Sequence, residues 1–336
     1  MLDKKKTVFV LGAGASCPYG YPSGAHLRSR ICFSADHSHE DILSKAVGEG
    51  RKPSIGDFKK TFEDSSTKSI DLFMVRNPKF EPIGKYIISF EIFKAEIKSL
   101  FREQAKRTQD LYNKKAEIRG EAYFLMKDFQ GDDWYSYLFD RLTEGIVAKD
   151  DLPDFTDGRI SFVTFNYDRS LEYFMYESFR NSFTEVPENK VIQCLKNLKI
   201  LHLYGQVAPL KWQDSNEGVG YRPQISESLL RMVSSNIRTI YEEKQNPELV
   251  EAQNLLKRAD EIFFLGFGFA PENMDVLRLP ELIPELCQVY GTAFGLIEEE
   301  VKRVHASVHN ERKVVQARTK IESIDVDCLM LLRKYF

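Results

Sequence analysis

Two side chains able to do chemistry follow an apolar run in "VTFNYDRSLE" (163–172): the amide of Asn166 and the carboxylate of Asp168. Residues just beyond the carboxyl end of a strand lie where open α/β sheets bind ligands. There an amide can orient hydroxyls or a water, and a carboxylate can hold an amide or accept a proton. Asp168 has an alternative use, because a helical pattern starts at once and aspartate is a favoured helix cap. Asn166 is harder to explain as a cap, since an amide at a buried strand end needs partners in a dry place. His202 stands in a second apolar run, "ILHLYGQV" (200–207), three residues before Gly205. An imidazole, with an ordinary pKa of about 6.5, is the common general base, although a lone histidine in such a run can equally be a satisfied core residue.

Two glycine turns complete the set. "VFVLGAGASCPYG" (8–20) carries Gly12, Gly14, Ala15 and Ser16, and "FFLGFGFAPEN" (263–273) carries Gly266, Phe267 and Gly268. Glycines after a strand let phosphates approach the backbone, and the amides of a following helix start can bind their charge. The first turn reads G-x-G without the third glycine of the dinucleotide fingerprint, so taken alone it is also compatible with a plain strand-to-loop turn.

These residues must be positioned by strands. Short β-branched or aromatic runs bounded by turn residues predict buried parallel strands over 7–14, 160–166, 198–205, 261–268 and 292–299. Helical patterns over 168–179 and 248–260 separate some of them, which implies βαβ crossovers and an α/β, Rossmann-like parallel sheet. The stretch 25–155 reads differently. "IGKYIISFEIFKAEIKSLFREQAKRTQDLYNKKAEI" and "DWYSYLFDRLTEGI" have apolar residues at helical spacing, and no strand is evident there. The expected organisation is a sheet domain, 1–24 with 156–336, carrying a large helical insertion domain over 25–155. The polar loop 208–224 is placed to cover a site.

Composition narrows the classes. Lys and Arg number 47 against 50 for Asp and Glu, a formal net charge of −3, which argues against direct nucleic-acid binding. No apolar run reaches the roughly 18 residues of a membrane helix, so no membrane association is expected. The five cysteines are scattered and form no CxxC, which fits reduced thiols in the cytoplasm and leaves no metal site in view.

The order GAGAS, F-N-x-D, H-x-x-G, L-G-x-x along the chain resembles the sirtuin family, whose motifs read G-A-G-x-S, Q-N-x-D, a short histidine-glycine motif and L-G-x-S. The likeness is local, yet all four motifs fall in order on predicted strands. It implies a sirtuin-type fold that takes NAD as a substrate. Three departures matter. No CxxC pair could build the zinc ribbon of the protein-deacylating members. "YPSGAHLRSR" (21–30) stands where those enzymes carry an Asp-Phe-Arg segment. The long helical stretch separates the first two motifs. In these respects, and in "SIDLFMVRNPKFEPIGKYII" (69–88), the chain is similar to the bacterial sirtuin-like NAD hydrolases of anti-phage defence.

That resemblance implies an NAD+ glycohydrolase releasing nicotinamide and ADP-ribose and working as a homo-oligomer, with a helicase-like ATPase as a possible partner. It implies that Asn166 orients the ribose hydroxyls and attacking water, that Asp168 holds the nicotinamide carboxamide, and that His202 is the base. Gly12, Gly14 and Ala15 would bind the diphosphate, with Ser16 a further substrate contact. Gly266 and Phe267 would lie against the adenosine ribose and phosphate. Glu298 is a candidate for the adenosine ribose hydroxyls, or else a solvated first-turn carboxylate. Two alternatives stand beside hydrolysis: an NAD- or ADP-ribose-binding regulatory module without catalysis, and a sirtuin-type protein deacylase or ADP-ribosyltransferase.

Overall fold

The computed structural model describes residues 5–33, 40–48, 50, 52–99, 133–147, 151–239, 246–308, 319–322 and 326–336. At its centre is an all-parallel sheet of six strands: β1 (Thr7–Leu11), β2 (Ile160–Thr164), β3 (Lys199–His202), β4 (Glu261–Leu265), β5 (Gln288–Gly291) and β6 (Thr319–Ile321). Their order is β3-β2-β1-β4-β5-β6, with Val10 opposite both Val163 and Phe264. Every residue of β1, β2 and β4 is buried, which is why these runs are apolar throughout instead of alternating. The chain runs outward from β1 to β3, then returns to build β4–β6 on the other side. Neighbouring β1 and β4 therefore send their loops in opposite directions and leave a crevice at their carboxyl ends.

Helices cover both faces, making an α/β, Rossmann-like architecture. Between β1 and β2 come α1 (Gly24–Phe33), α2 (Glu40–Val47), α3 (Ile55–Asp64), α4 (Ile70–Arg76), α5 (Glu81–Ile97) and α6 (Trp134–Thr143), with no strand among the described residues of this stretch. Residues 101–132, into which the long helical pattern was expected to run, lie outside the described residues. Helix α5 is apolar nearly all round, burying Ile83, Ile87, Ile88, Ile92 and Phe93, as a helix enclosed by other helices must. The apolar core passes without a break from Phe58, Phe62 and Phe73 of these helices to the sheet.

After β2 follow α7 (Ser170–Ser182) and α8 (Glu188–Asn197). After β3 come α9 (Glu227–Val233) and α10 (Pro247–Lys257), and after β4 comes α11 (Pro271–Val276). The last two are α12 (Glu298–Val308) and α13 (Cys328–Tyr335). The sheet is tied to α13 by aromatic stacking. Phe162, Phe9 and Phe263 sit in register on adjacent strands with centroids 5.1 and 5.4 Å apart, and Phe336 meets Phe9 edge-on at 5.3 Å. Among the described residues no helix is long and apolar enough to cross a membrane.

One expected strand is corrected. Residues 292–299 are not extended: β5 lies upstream at Gln288–Gly291, and the chain leaves the sheet at Thr292. The Thr292 hydroxyl accepts a hydrogen bond from the Gly266 amide, and Gly295 takes φ +79°, a left-handed turn that no strand continues through. The β-branched and aromatic letters over 292–297 mark a loop, and Glu298 opens α12.

Candidate functional site

A cleft of about 600 Å³ opens at the carboxyl ends of β1, β2 and β4. Its floor is the contact between the two glycine turns. The Gly12 amide donates to Leu265 O at 3.0 Å and the Gly14 amide to Gly266 O at 3.0 Å, while the Ala15 amide donates to Gly12 O at 2.9 Å. A Cβ on Gly12 would meet Gly266 O at 2.5 Å, and one on Gly266, itself at φ +55°, would meet the Ala15 nitrogen at 2.1 Å. The glycines are thus required by backbone packing against backbone. All three amides of the first turn that the sequence marks for a diphosphate already donate within the protein.

Above this floor Asn166 leaves β2. Its side-chain Nδ2 donates to Gly12 O and to Ser16 Oγ, both at 3.0 Å, which fixes the rotamer. Its Oδ1 is buried and finds no donor among the described residues. Asp168, two residues on, accepts hydrogen bonds from the amide and hydroxyl of Ser170 and from Ser16. It therefore serves both readings at once, turning the chain into α7 and lining the cleft. Burial pushes its carboxyl above the usual carboxylate range, and the serine hydrogen bonds only partly offset this. Tyr135, stacked on Tyr19 at 3.9 Å, hydrogen-bonds to Ser170 at 2.8 Å, and the Trp134 indole donates to Ala15 O at 2.9 Å. In this way α6 braces the glycine turn and the Asn–Asp turn together.

The opposite wall comes from the helices after β1. Ser23, Gly24 and His26 bring the first turn of α1 to the cleft, and Asp71 enters from the first turn of α4. The Tyr167 hydroxyl donates to Asp71 Oδ1. Burial raises the Asp71 carboxyl to about 6 despite that hydrogen bond. Tyr204, directly before Gly205, also lines this cleft and donates to Asn273 Oδ1 at 2.6 Å. Among the described lining residues Asp71, Asp168, Glu272 and Asp327 carry carboxylates, and none is Lys or Arg. The chain matches no family model, no curated protein and no solved structure.

His202 lies elsewhere. It borders a separate, smaller cleft of about 360 Å³ with Glu172, Gln206, Arg238 and Glu248. Its Nδ1 is 2.9 Å from the Asn166 backbone oxygen and its Nε2 is 2.6 Å from Glu172 Oε1. Both ring nitrogens are thus engaged by groups of the protein itself, an arrangement that favours the charged form of the ring while Glu172 is ionised. Burial works against that charge, but the Glu172 carboxylate and the Asn166 carbonyl outweigh it and raise the pKa. Gly266 and Phe267 line the large cleft; Glu298 does not, being exposed on α12 and paired with Lys302 at 2.8 Å. The structure thus brings Gly12, Gly14, Asn166, Asp168, Gly266 and Phe267 to one cavity, with Ser16 just behind Asn166.

Several contributors were not legible locally. Arg169 and Glu96 form a fully buried bidentate pair at 2.9 Å, and Arg169 also donates to Val219 O and Gly220 O at 2.7 and 2.8 Å. This binds α5 and the 208–224 loop to the residue beside Asp168. Such a pair is retained only when its remaining donors are also satisfied, as here.

Proposed function

We propose that the large cleft binds NAD and that the chain hydrolyses its N-glycosidic bond, giving nicotinamide and ADP-ribose. One observation carries this reading: Asn166 is 7% exposed, lines the cleft, has its amide nitrogen held from two sides, and has a buried Oδ1 with no partner among the described residues. An unpaired buried acceptor costs about 1–3 kcal/mol unless a ligand supplies the donor. A ribose hydroxyl is such a donor. The cavity falls in the range of about 300–1,000 Å³ typical of small-molecule sites, and it sits at the switch point of the sheet.

The charges fit the same substrate. While bonded to ribose the nicotinamide ring is cationic, and as it leaves the positive charge moves onto the sugar. Carboxylates at Asp71 and Asp168 stabilise that charge where water is scarce. With the amides of Gly12, Gly14 and Ala15 occupied, the diphosphate lies against the first turn of α1 at Gly24, where the helix dipole favours an anion. His202 acts as a positioning residue, its ring holding the Asn166 carbonyl from behind. Depletion of NAD in anti-phage defence, by a homo-oligomer with a helicase-like ATPase as partner, is the physiological role that the resemblance to sirtuin-like hydrolases implies.

A second reading, binding of NAD or ADP-ribose without chemistry, is favoured by the engagement of both His202 ring nitrogens within the protein. Product chromatography after incubation of the pure chain with NAD separates the two. Hydrolysis yields nicotinamide and ADP-ribose in equal amounts, and Asn166→Ala slows it at least about 100-fold, the scale of losing one preorganised polar group, while the chain still folds cooperatively at a lowered unfolding midpoint. NAD that binds and stays intact identifies the binding module instead. Acyl-ADP-ribose formed only with an acyl-lysine peptide identifies a deacylase.

A further inference from the structure

The imidazole being committed to Glu172 and to the Asn166 carbonyl, hydrolysis in the large cleft needs another proton acceptor. Asp71 is the group placed to serve. It comes from the first turn of α4, far in sequence from the Asn–Asp turn, yet it lines the same cleft and is bound to the hydroxyl of Tyr167, the residue between Asn166 and Asp168. That hydroxyl occupies Oδ1. Among the described residues the carboxylate's other contacts are a long one, 3.5 Å, from the Ser69 hydroxyl to Oδ2 and one from its own backbone amide, which leaves lone pairs free on the carboxylate. Asp168, by contrast, has Oδ1 taken twice by Ser170 and a further bond from Ser16. Asp71 is also half-buried where Asp168 is buried.

We infer that Asp71 is the general base of the hydrolysis, a role that rests on the reading of the cleft as an NAD hydrolase. The C1′–N bond breaks and its electron pair goes to the nicotinamide nitrogen, which leaves neutral. A water oxygen bonds to C1′, and one water proton passes to the Asp71 carboxylate and thence to solvent. Tyr167 holds the carboxylate in place through the step. The titratable groups that line the cleft with Asp71 are Tyr167 and Asp168 at the end of β2, Glu272 on α11, Tyr204 after β3, His26 on α1, Cys17 and Tyr21 after β1, and Asp327 and Cys328 at the start of α13. Of these, Tyr167 lowers and Glu272 raises its pKa. With a pKa of about 6 the carboxylate is ionised at neutral pH and close enough to it to be an effective base.

The test is the pH profile of kcat in wild type, Asp71→Asn and Tyr167→Phe, with ADP-ribose affinity measured alongside. Asn at 71 keeps an acceptor for the Tyr167 hydroxyl but cannot take a proton. The expected loss is at least about 100-fold in kcat, the usual contribution of a general base, with ADP-ribose affinity within about threefold. Wild-type kcat falls below pH 6 as Asp71 protonates, and that limb is missing in Asp71→Asn. The Tyr167 hydrogen bond lowers the Asp71 pKa, so Tyr167→Phe moves the limb to higher pH. A wild-type kcat in Asp71→Asn, or equal loss of kcat and ADP-ribose affinity, overturns the role of Asp71 alone. A wild-type chain that binds ADP-ribose but leaves NAD intact removes the reaction itself.

Discussion

The two clefts lie on either side of the Asn166 backbone and differ in how their polar groups are satisfied. In the smaller one, His202, Glu172 and Gln206 are bonded to one another, and Arg238 pairs with Glu248 at 2.6 Å. In the larger one, an amide oxygen has no partner among the described residues and two carboxyls are held above their usual range by burial. Both contain an ionisable group that sequence reasoning would nominate for catalysis. The proposed chemistry is assigned to the unsatisfied set, because a ring with both nitrogens engaged inside the protein must break a bond before it can serve a substrate. The smaller cleft then reads as the support of the larger, transmitting its rigidity through the carbonyl of Asn166.

That contrast can be broken from either side. The largest effect is expected from Gly266→Ala, which damages only the floor of the large cleft. At φ +55°, with the Ala15 nitrogen 2.1 Å from the added carbon, the change costs about 3 kcal/mol, visible as a lowered unfolding midpoint. Substitution in the small cleft should act through support. His202→Gln retains an amide donor for the Asn166 carbonyl or for Glu172 and is expected to lower kcat less than about 10-fold. A loss of about 100-fold or more with the acid limb of the pH profile abolished would instead mark the imidazole as the base. At the bottom of the scale, Glu298→Gln is expected to leave NAD affinity within about twofold, since an exposed i,i+4 pair contributes only a few tenths of a kcal/mol and the residue stands outside both clefts. A large loss of affinity there would place the adenosine end differently.

What could be read from the letters follows the same physics. Strands β1, β2 and β4 were legible because a strand buried on both faces writes an uninterrupted apolar run, whereas the half-buried edge strand β3 shows through the apolar residues that flank His202. Asn166 and Asp168 were legible because they follow such a run at its end. Strand β5 was placed four residues too late, at 292–299, because "TAFGLI" has strand-like letters while its conformation is decided by the left-handed turn at Gly295 and by the Thr292 hydroxyl on Gly266. The three-residue edge strand β6 carries too little pattern to be seen. Asp71 reads as an ordinary first-turn aspartate of an amphipathic helix. Only the path of the chain across the sheet brings it to Tyr167, and no local spacing encodes that meeting. Glu172 is the same case in reverse, a helix residue whose partner, His202, lies on another strand.

The central claim is that the large cleft seats a ribose beside Asn166 and, as the ligand settles, brings a hydroxyl donor to its buried Oδ1. A crystal structure of the chain with ADP-ribose tests it most directly. The account predicts the ribose next to the scissile position in the large cleft, one hydroxyl within hydrogen-bond distance of Asn166 Oδ1 and the diphosphate near Gly24. ADP-ribose seated instead in the smaller cleft against His202, or in the large cleft with Asn166 Oδ1 still unpaired, would contradict it.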